Sequence, residues 1–156
     1  IQSDSHLSES SFNVCVGKEW YRFPSNFFLP DQFNLAFIKS GFSGQLPQPY
    51  NTTAEHPTSF IQGDFNDVNG EELSRYIQGN VDDVCHFLVD FEFDQQSETI
   101  YSKHQENWQI LVSKPFLNAQ KSHPFFRAFW IPSFSSQYCV FDQYVLLQNI
   151  KLFNQK

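Results

Sequence analysis

From Val84 to Phe93 the side chains alternate in character residue by residue. On an extended chain Phe87, Val89, Phe91 and Phe93 share one side, and His86, Leu88, Asp90 and Glu92 share the other. A period of two marks a β-strand and does not build the apolar stripe of a helix. The second side is mostly polar, so this strand is expected to turn one face to the core and one to water or a partner.

Shorter segments repeat the pattern. Phe12–Val16 alternates apolar with small or polar residues, and Gln32–Phe37 places Phe33, Leu35 and Phe37 on one side. Trp108–Val112, Phe125–Ile131 and Tyr138–Leu147 also read as strands, and Ile150–Phe153 is expected to extend the pairing. Lys114–Ser122 is ambiguous, because Phe116–Ala119 also suits a helical turn. Glu71–Tyr76 suits one helical turn, and Asn69-Gly70 is a turn signal. The composition agrees, with 19 Phe among 156 residues and no Met. Rings favour strands and carry a large burial payload. The expected fold is mainly β, an antiparallel β-sandwich-like domain with one or two short helices. The expected organisation is an extended lead over 1–13, a single β-rich domain over 14–153 and a polar tail over 154–156.

Charge narrows the partners. The net charge is −7 and no Lys/Arg-rich run occurs, so a phosphate backbone is repelled and nucleic-acid binding is not expected. The same balance speaks against a polybasic membrane-surface patch. No window reaches the roughly 18 apolar residues of a spanning helix. The chain begins at Ile1 with no signal-like segment, and it is expected to be a piece of a longer precursor. The three cysteines, Cys15, Cys85 and Cys139, have no metal-ligand spacing. They leave open three buried thiols or one internal disulfide with an odd thiol. Asn51-Thr52-Thr53 is a glycosylation sequon in a Pro-flanked stretch, which points to a secretory compartment where it is used.

Few residues suggest chemistry. Asp90 with Glu92, Asp64 with Asp67, and Glu71 with Glu72 are close carboxylates, the residue type glycosyl chemistry uses. A solvated acidic face is the simpler reading of all three. His86 with Asp90 lacks further ligands, so neither a metal nor a cofactor is expected. Lys18-Glu19-Trp20-Tyr21-Arg22 is different. Trp and Tyr stack on sugar rings, while Glu and Arg hydrogen-bond hydroxyls in a planar manner. These five residues are the candidates for contact with a glycan or for docking. The alternative is a core Trp beside an ion pair.

The run Val14–Pro30 (VCVGKEWYRFPSNFFLP) resembles a signature of the dolichyl-phosphate-mannose-dependent α-1,2-mannosyltransferases of N-glycan precursor synthesis. These belong to glycosyltransferase family 22, of the GT-C class. Further similar blocks follow in order: Gly44-Gln45-Leu46-Pro47, Ser74-Arg75-Tyr76-Ile77, Cys85-His86-Phe87-Leu88-Val89-Asp90, Pro115-Phe116-Leu117 and Arg127-Ala128-Phe129. The resemblance covers about Val14 to Leu147. It implies a lumenal C-terminal region of an endoplasmic reticulum membrane enzyme. Such an enzyme takes mannose from dolichyl phosphate mannose and adds it to the lipid-linked oligosaccharide. The expected catalytic base lies in a loop outside this chain, so the chain is expected to be non-catalytic and to dock on a membrane-embedded catalytic half. Cys15 and Cys85 coincide with cysteines of the resembling sequences, and the oxidising lumen suits a disulfide between them. Two other readings compete: a stand-alone carbohydrate-binding or protein-interaction module, and an independent hydrolase.

Overall fold

The computed structural model describes residues 11–18, 28–41, 43–47, 55–56, 67–92 and 98–154. Five strands form one sheet: β1 (Phe12–Val16), β2 (Phe33–Phe37), β3 (Phe87–Glu92), β4 (Trp108–Asn118) and β5 (Val140–Asn149). Their order is β2-β1-β3-β5-β4. The helices are short: α1 (Val81–Val84), α2 (Pro124–Ala128), α3 (Ser135–Tyr138) and α4 (Ile150–Phe153), with 3₁₀ turns at Leu73–Arg75 and Tyr101–Lys103.

The mainly β expectation holds, and the sheet is mixed. β1 pairs in parallel with both β2 and β3, whereas β5 is antiparallel to β3 and β4. β5 alone therefore runs against the other four. Parallel neighbours need long crossovers instead of tight hairpins. The chain supplies them between β1 and β2 and again between β2 and β3. The described residues show one layer of strands, with no second sheet among them.

β1 and β3 lie at the centre and are buried on both faces. Cys15, Val16 and Leu88 have no exposed surface. One face gathers Cys15, Leu88, Val145, Leu147 and Trp108. The other gathers Val14, Val16, Val89, Phe37, Leu46 and Tyr76. Register explains the division, because Cys15 pairs with Leu88 and Leu88 with Leu147, while Val16 pairs with Val89 and Val89 with Leu146. The side of β3 read as wet is thus a core face. A strand with parallel and antiparallel neighbours and cover on both faces has no wet side.

Three local expectations change. Phe125–Ile131 is not a strand: His123 caps α2 by accepting from Phe125 N–H, and Pro124 stands at the first helical turn. That pairing of cap and Pro starts helices well. Lys114–Asn118 continues β4, with Pro115 tolerated because β4 is the sheet edge. Ile150–Phe153 is α4 instead of strand, begun by Asn149 accepting from Leu152 N–H.

Candidate functional site

β1, β2 and β3 run the same way, and a polar cavity of about 210 Å³ opens where β1 and β2 end. Its walls include Gly17 and Lys18 after β1, Ile38 to Gly41 after β2, Asp90 on β3, and Glu98, Thr99 and Tyr101 from the following connection. Carboxyl ends of parallel strands are where open sheets place ligands, because the chain leaves the sheet there as loops.

Asp90 is the organising group. It is 3 % exposed. One carboxylate oxygen accepts the Lys18 backbone N–H at 2.9 Å, and the other accepts from Lys18 Nζ at 3.0 Å. The ammonium also donates to Thr99 O at 3.0 Å, so one lysine ties β3 to the connection after it. Burial raises the Asp90 carboxyl above the ordinary carboxylate range, while the charge and hydrogen bonds of Lys18 pull it down. Glycine at position 17 makes this approach possible. A Cβ there would sit 2.6 Å from Asp90 Oδ1 and 3.2 Å from Ile38 Cδ1.

The surrounding groups are titratable or hydroxylic. Glu92 lies two residues along the same face of β3. Burial raises its carboxyl, and the charge of Asp90 adds to the effect. Burial pushes the Tyr101 phenol up to about 12, with the charges of Asp90 and Asp82 adding to it. It therefore stays a hydroxyl donor at neutral pH. Glu98 accepts the Gly41 N–H with one oxygen. Its second oxygen, one oxygen of Glu92 and Ser40 Oγ are buried without a hydrogen-bond partner. On the cavity wall, Lys39 pairs with Glu71, which also accepts from Tyr76 Oη at 2.6 Å. Those contacts, the one from Lys39 first, hold the Glu71 carboxyl below its usual range. The cavity thus offers acceptors, hydroxyls and two engaged ammonium groups, those of Lys18 and Lys39, an arrangement for hydrogen-bonding a hydroxyl-rich ligand. No group of three His, Cys, Asp or Glu suited to a metal occurs among the described residues.

Of the five residues singled out in the sequence, Lys18 lines this cavity and is a buried ion-pair partner. Glu19, Trp20, Tyr21, Arg22 and the sequon residue Asn51 lie outside the described residues. Cys15 and Cys85 are joined in a disulfide with Cα atoms 5.7 Å apart, and Cys139 is a buried free thiol. Asp90 is no solvated acid. Its place between Val89 and Phe91 in a ring-rich strand carried that signal, since a buried carboxylate needs a partner. Glu98 and Tyr101 reach the cavity from a connection with no sequence pattern, and nothing in their spacing marked them.

Relatives place the chain. It is 48% identical over 140 residues to α-1,2-mannosyltransferase ALG9 of Mus musculus, covering 87% of this chain and 22% of the relative. The Homo sapiens protein of that name gives the same figures. That of Schizosaccharomyces pombe is 41% identical over 141 residues, with 85% of this chain and 23% of the relative covered. The chain is homologous to part of these α-1,2-mannosyltransferases. It spans about a fifth of the length of these relatives. No family model matches the chain, and no solved structure does. No helix among the described residues is long and apolar enough to cross a membrane.

Proposed function

We infer that this chain is the lumenal, non-catalytic C-terminal domain of an endoplasmic reticulum α-1,2-mannosyltransferase. The enzyme transfers mannose from dolichyl phosphate mannose to the lipid-linked oligosaccharide used for N-glycosylation. The observation that carries the reading is the 48% identity over 87% of this chain to one fifth of a protein bearing that activity in its name. The reactive machinery belongs to the membrane-embedded half. Two structural features support the assignment. Asp90, the most buried carboxylate of the cavity, is committed to Lys18 and is not poised as a base. The Cys15–Cys85 disulfide suits an oxidising lumen. The reading takes the domain as residues 14–153, with Lys18, Glu19, Trp20, Tyr21 and Arg22 as the candidates for contact with the acceptor or the catalytic half.

The test is the full-length enzyme with and without this region, made in cells lacking their own copy, with the lipid-linked oligosaccharides separated by size. Deletion is expected to leave under-mannosylated intermediates. Unchanged mannose addition at unchanged protein level would sink the proposal. A second reading, a carbohydrate-binding module, is favoured by the unpartnered polar atoms of Ser40 and Glu98 beside Tyr101. It predicts mannoside binding by the 156-residue chain that Ser40→Ala and Tyr101→Phe weaken. Titration calorimetry that detects no heat with mannosides would eliminate it.

A further inference from the structure

The antiparallel pair β4–β5 does not close in a tight turn. Asn118 pairs with Val140, and the residues between them build α2 and α3 at the tip of the ribbon. The tip is held from within. Ser135 is fully buried, and its Oγ accepts the Ile131 N–H at 2.8 Å. His123 N–H donates to Tyr138 O, and the Phe126 and Tyr138 rings stack at 4.6 Å. Yet its outer surface is apolar. Phe125, Phe129, Trp130 and Phe134 are each more than half exposed, at 51%, 62%, 63% and 55%. Single exposed rings need no explanation, but a contiguous ordered patch does.

Charge identifies the occupant. The chain carries 17 acidic residues, yet none lies between Glu106 and Asp142. That interval holds Lys114, Lys121 and Arg127, all exposed. In an otherwise acidic molecule, the surface that displays these four rings is thus free of nearby-sequence carboxylates. Trp, Tyr and Phe beside Lys and Arg are the side chains that settle at a lipid headgroup boundary. Rings enter the acyl margin, and the cations meet phosphates. The geometry points to a membrane-docking tip: residues 121–138 seat shallowly in a phospholipid surface. The inference needs only this surface and does not depend on the transferase assignment. It also amends the expectation from net charge. The attraction comes from a local ring patch with three cations, and a polybasic run is not required.

The test is sedimentation of the 156-residue chain with vesicles of phosphatidylcholine, alone and mixed with phosphatidylinositol. The chain is expected to pellet with both, more strongly with the anionic mixture. Phe129→Ser with Trp130→Ser should cut partitioning on the order of a hundredfold, the loss of two inserted rings. Lys114→Glu with Arg127→Glu should remove most of the anionic preference, about tenfold or more, in a salt-dependent way. All four positions are exposed, so circular dichroism should show each variant folded. A chain that stays in solution with millimolar lipid overturns the proposal, as does a ring variant that pellets like the parent. Self-association abolished by the ring substitutions, with no lipid binding, assigns the surface to a second copy and also overturns it. Because no mannose transfer is read, failure here leaves the transferase assignment standing.

Discussion

Gly17 and Asp90 share a space that has no room for one more carbon. A Cβ on Gly17 would stand 2.6 Å from Asp90 Oδ1, while that oxygen accepts the N–H of the next residue, Lys18. The buried acid, its lysine and the glycine therefore form one unit at the end of β1.

Gly17→Ala should consequently destabilise the chain by about 1–3 kcal/mol, the usual range for overpacking a tight site. The atom it strikes is not the free end of a mobile side chain, because Asp90 is held by Lys18 through both oxygens. Urea denaturation followed by circular dichroism reads the change. A midpoint equal to that of the parent would show that Asp90 moves aside at no cost.

Asp90→Asn keeps the shape and removes the charge, leaving the Lys18 ammonium buried with only Thr99 O. Stranding one partner of a buried pair costs about 3–5 kcal/mol. Adding Lys18→Met to Asp90→Asn should recover part of that loss, since no buried charge then remains. A double variant as unstable as the sum of the two single variants would contradict an energetic link between the residues.

The disulfide closes a separation of 70 residues between Cys15 and Cys85. Cross-links of this span stabilise by about 2–5 kcal/mol, largely by restricting the unfolded chain. Reduction should lower the denaturation midpoint accordingly. Thiol titration of the unfolded, unreduced chain should find Cys139 alone reactive. Three reactive thiols would rule the disulfide out.

His86 predicts an acid limit. Its Nδ1 accepts the Asn13 N–H at 3.1 Å, which assigns the proton of the neutral ring to Nε2. Burial lowers its pKa below the usual 6.5. A histidine depressed in the folded state binds protons more readily when unfolded. Stability is therefore full above the unfolded value and falls as pH drops through 6.5 toward the folded value. Between pH 7 and pH 5 the parent should lose stability that His86→Asn does not lose. Parallel pH profiles for the two chains would refute this.

Much of this was legible beforehand where local pattern and final environment agree. β1, β2 and β3 stand within three residues of their alternating segments, because period two survives whatever neighbour a strand acquires. Strand direction was not legible. Whether β1 meets β3 in parallel depends on crossovers whose sequences carry no directional signal. Phe125–Ile131 misled for a related reason: a ring-rich run reads as strand by propensity, yet His123-Pro124 starts a helix locally. Of the site, Lys18 was visible as part of a motif, and its partner Asp90 was visible only as an acid. Their separation of 72 positions is bridged by sheet register, which no local pattern encodes.

Asn149 gives the sharpest test of how the end of the chain is fastened. It is fully buried at the end of β5. Its amide nitrogen donates to Asp82 O at 2.9 Å and Cys85 O at 2.8 Å, and its oxygen accepts the Leu152 N–H at 3.1 Å. One side chain thus caps α4 and satisfies two carbonyls around α1, next to the disulfide. Asn149→Ala removes all three bonds and should cost about 2–4 kcal/mol, the sum of a lost cap and stranded buried groups after partial relaxation. Asn149→Asp separates the two roles. It retains the capping oxygen but turns a carboxylate toward two carbonyl oxygens, so at neutral pH it should be less stable than the alanine variant despite being nearly isosteric. Acidification should narrow that gap as the carboxyl protonates. If the aspartate variant matches the parent at neutral pH, the two carbonyl contacts contribute nothing and the cap alone fastens α4.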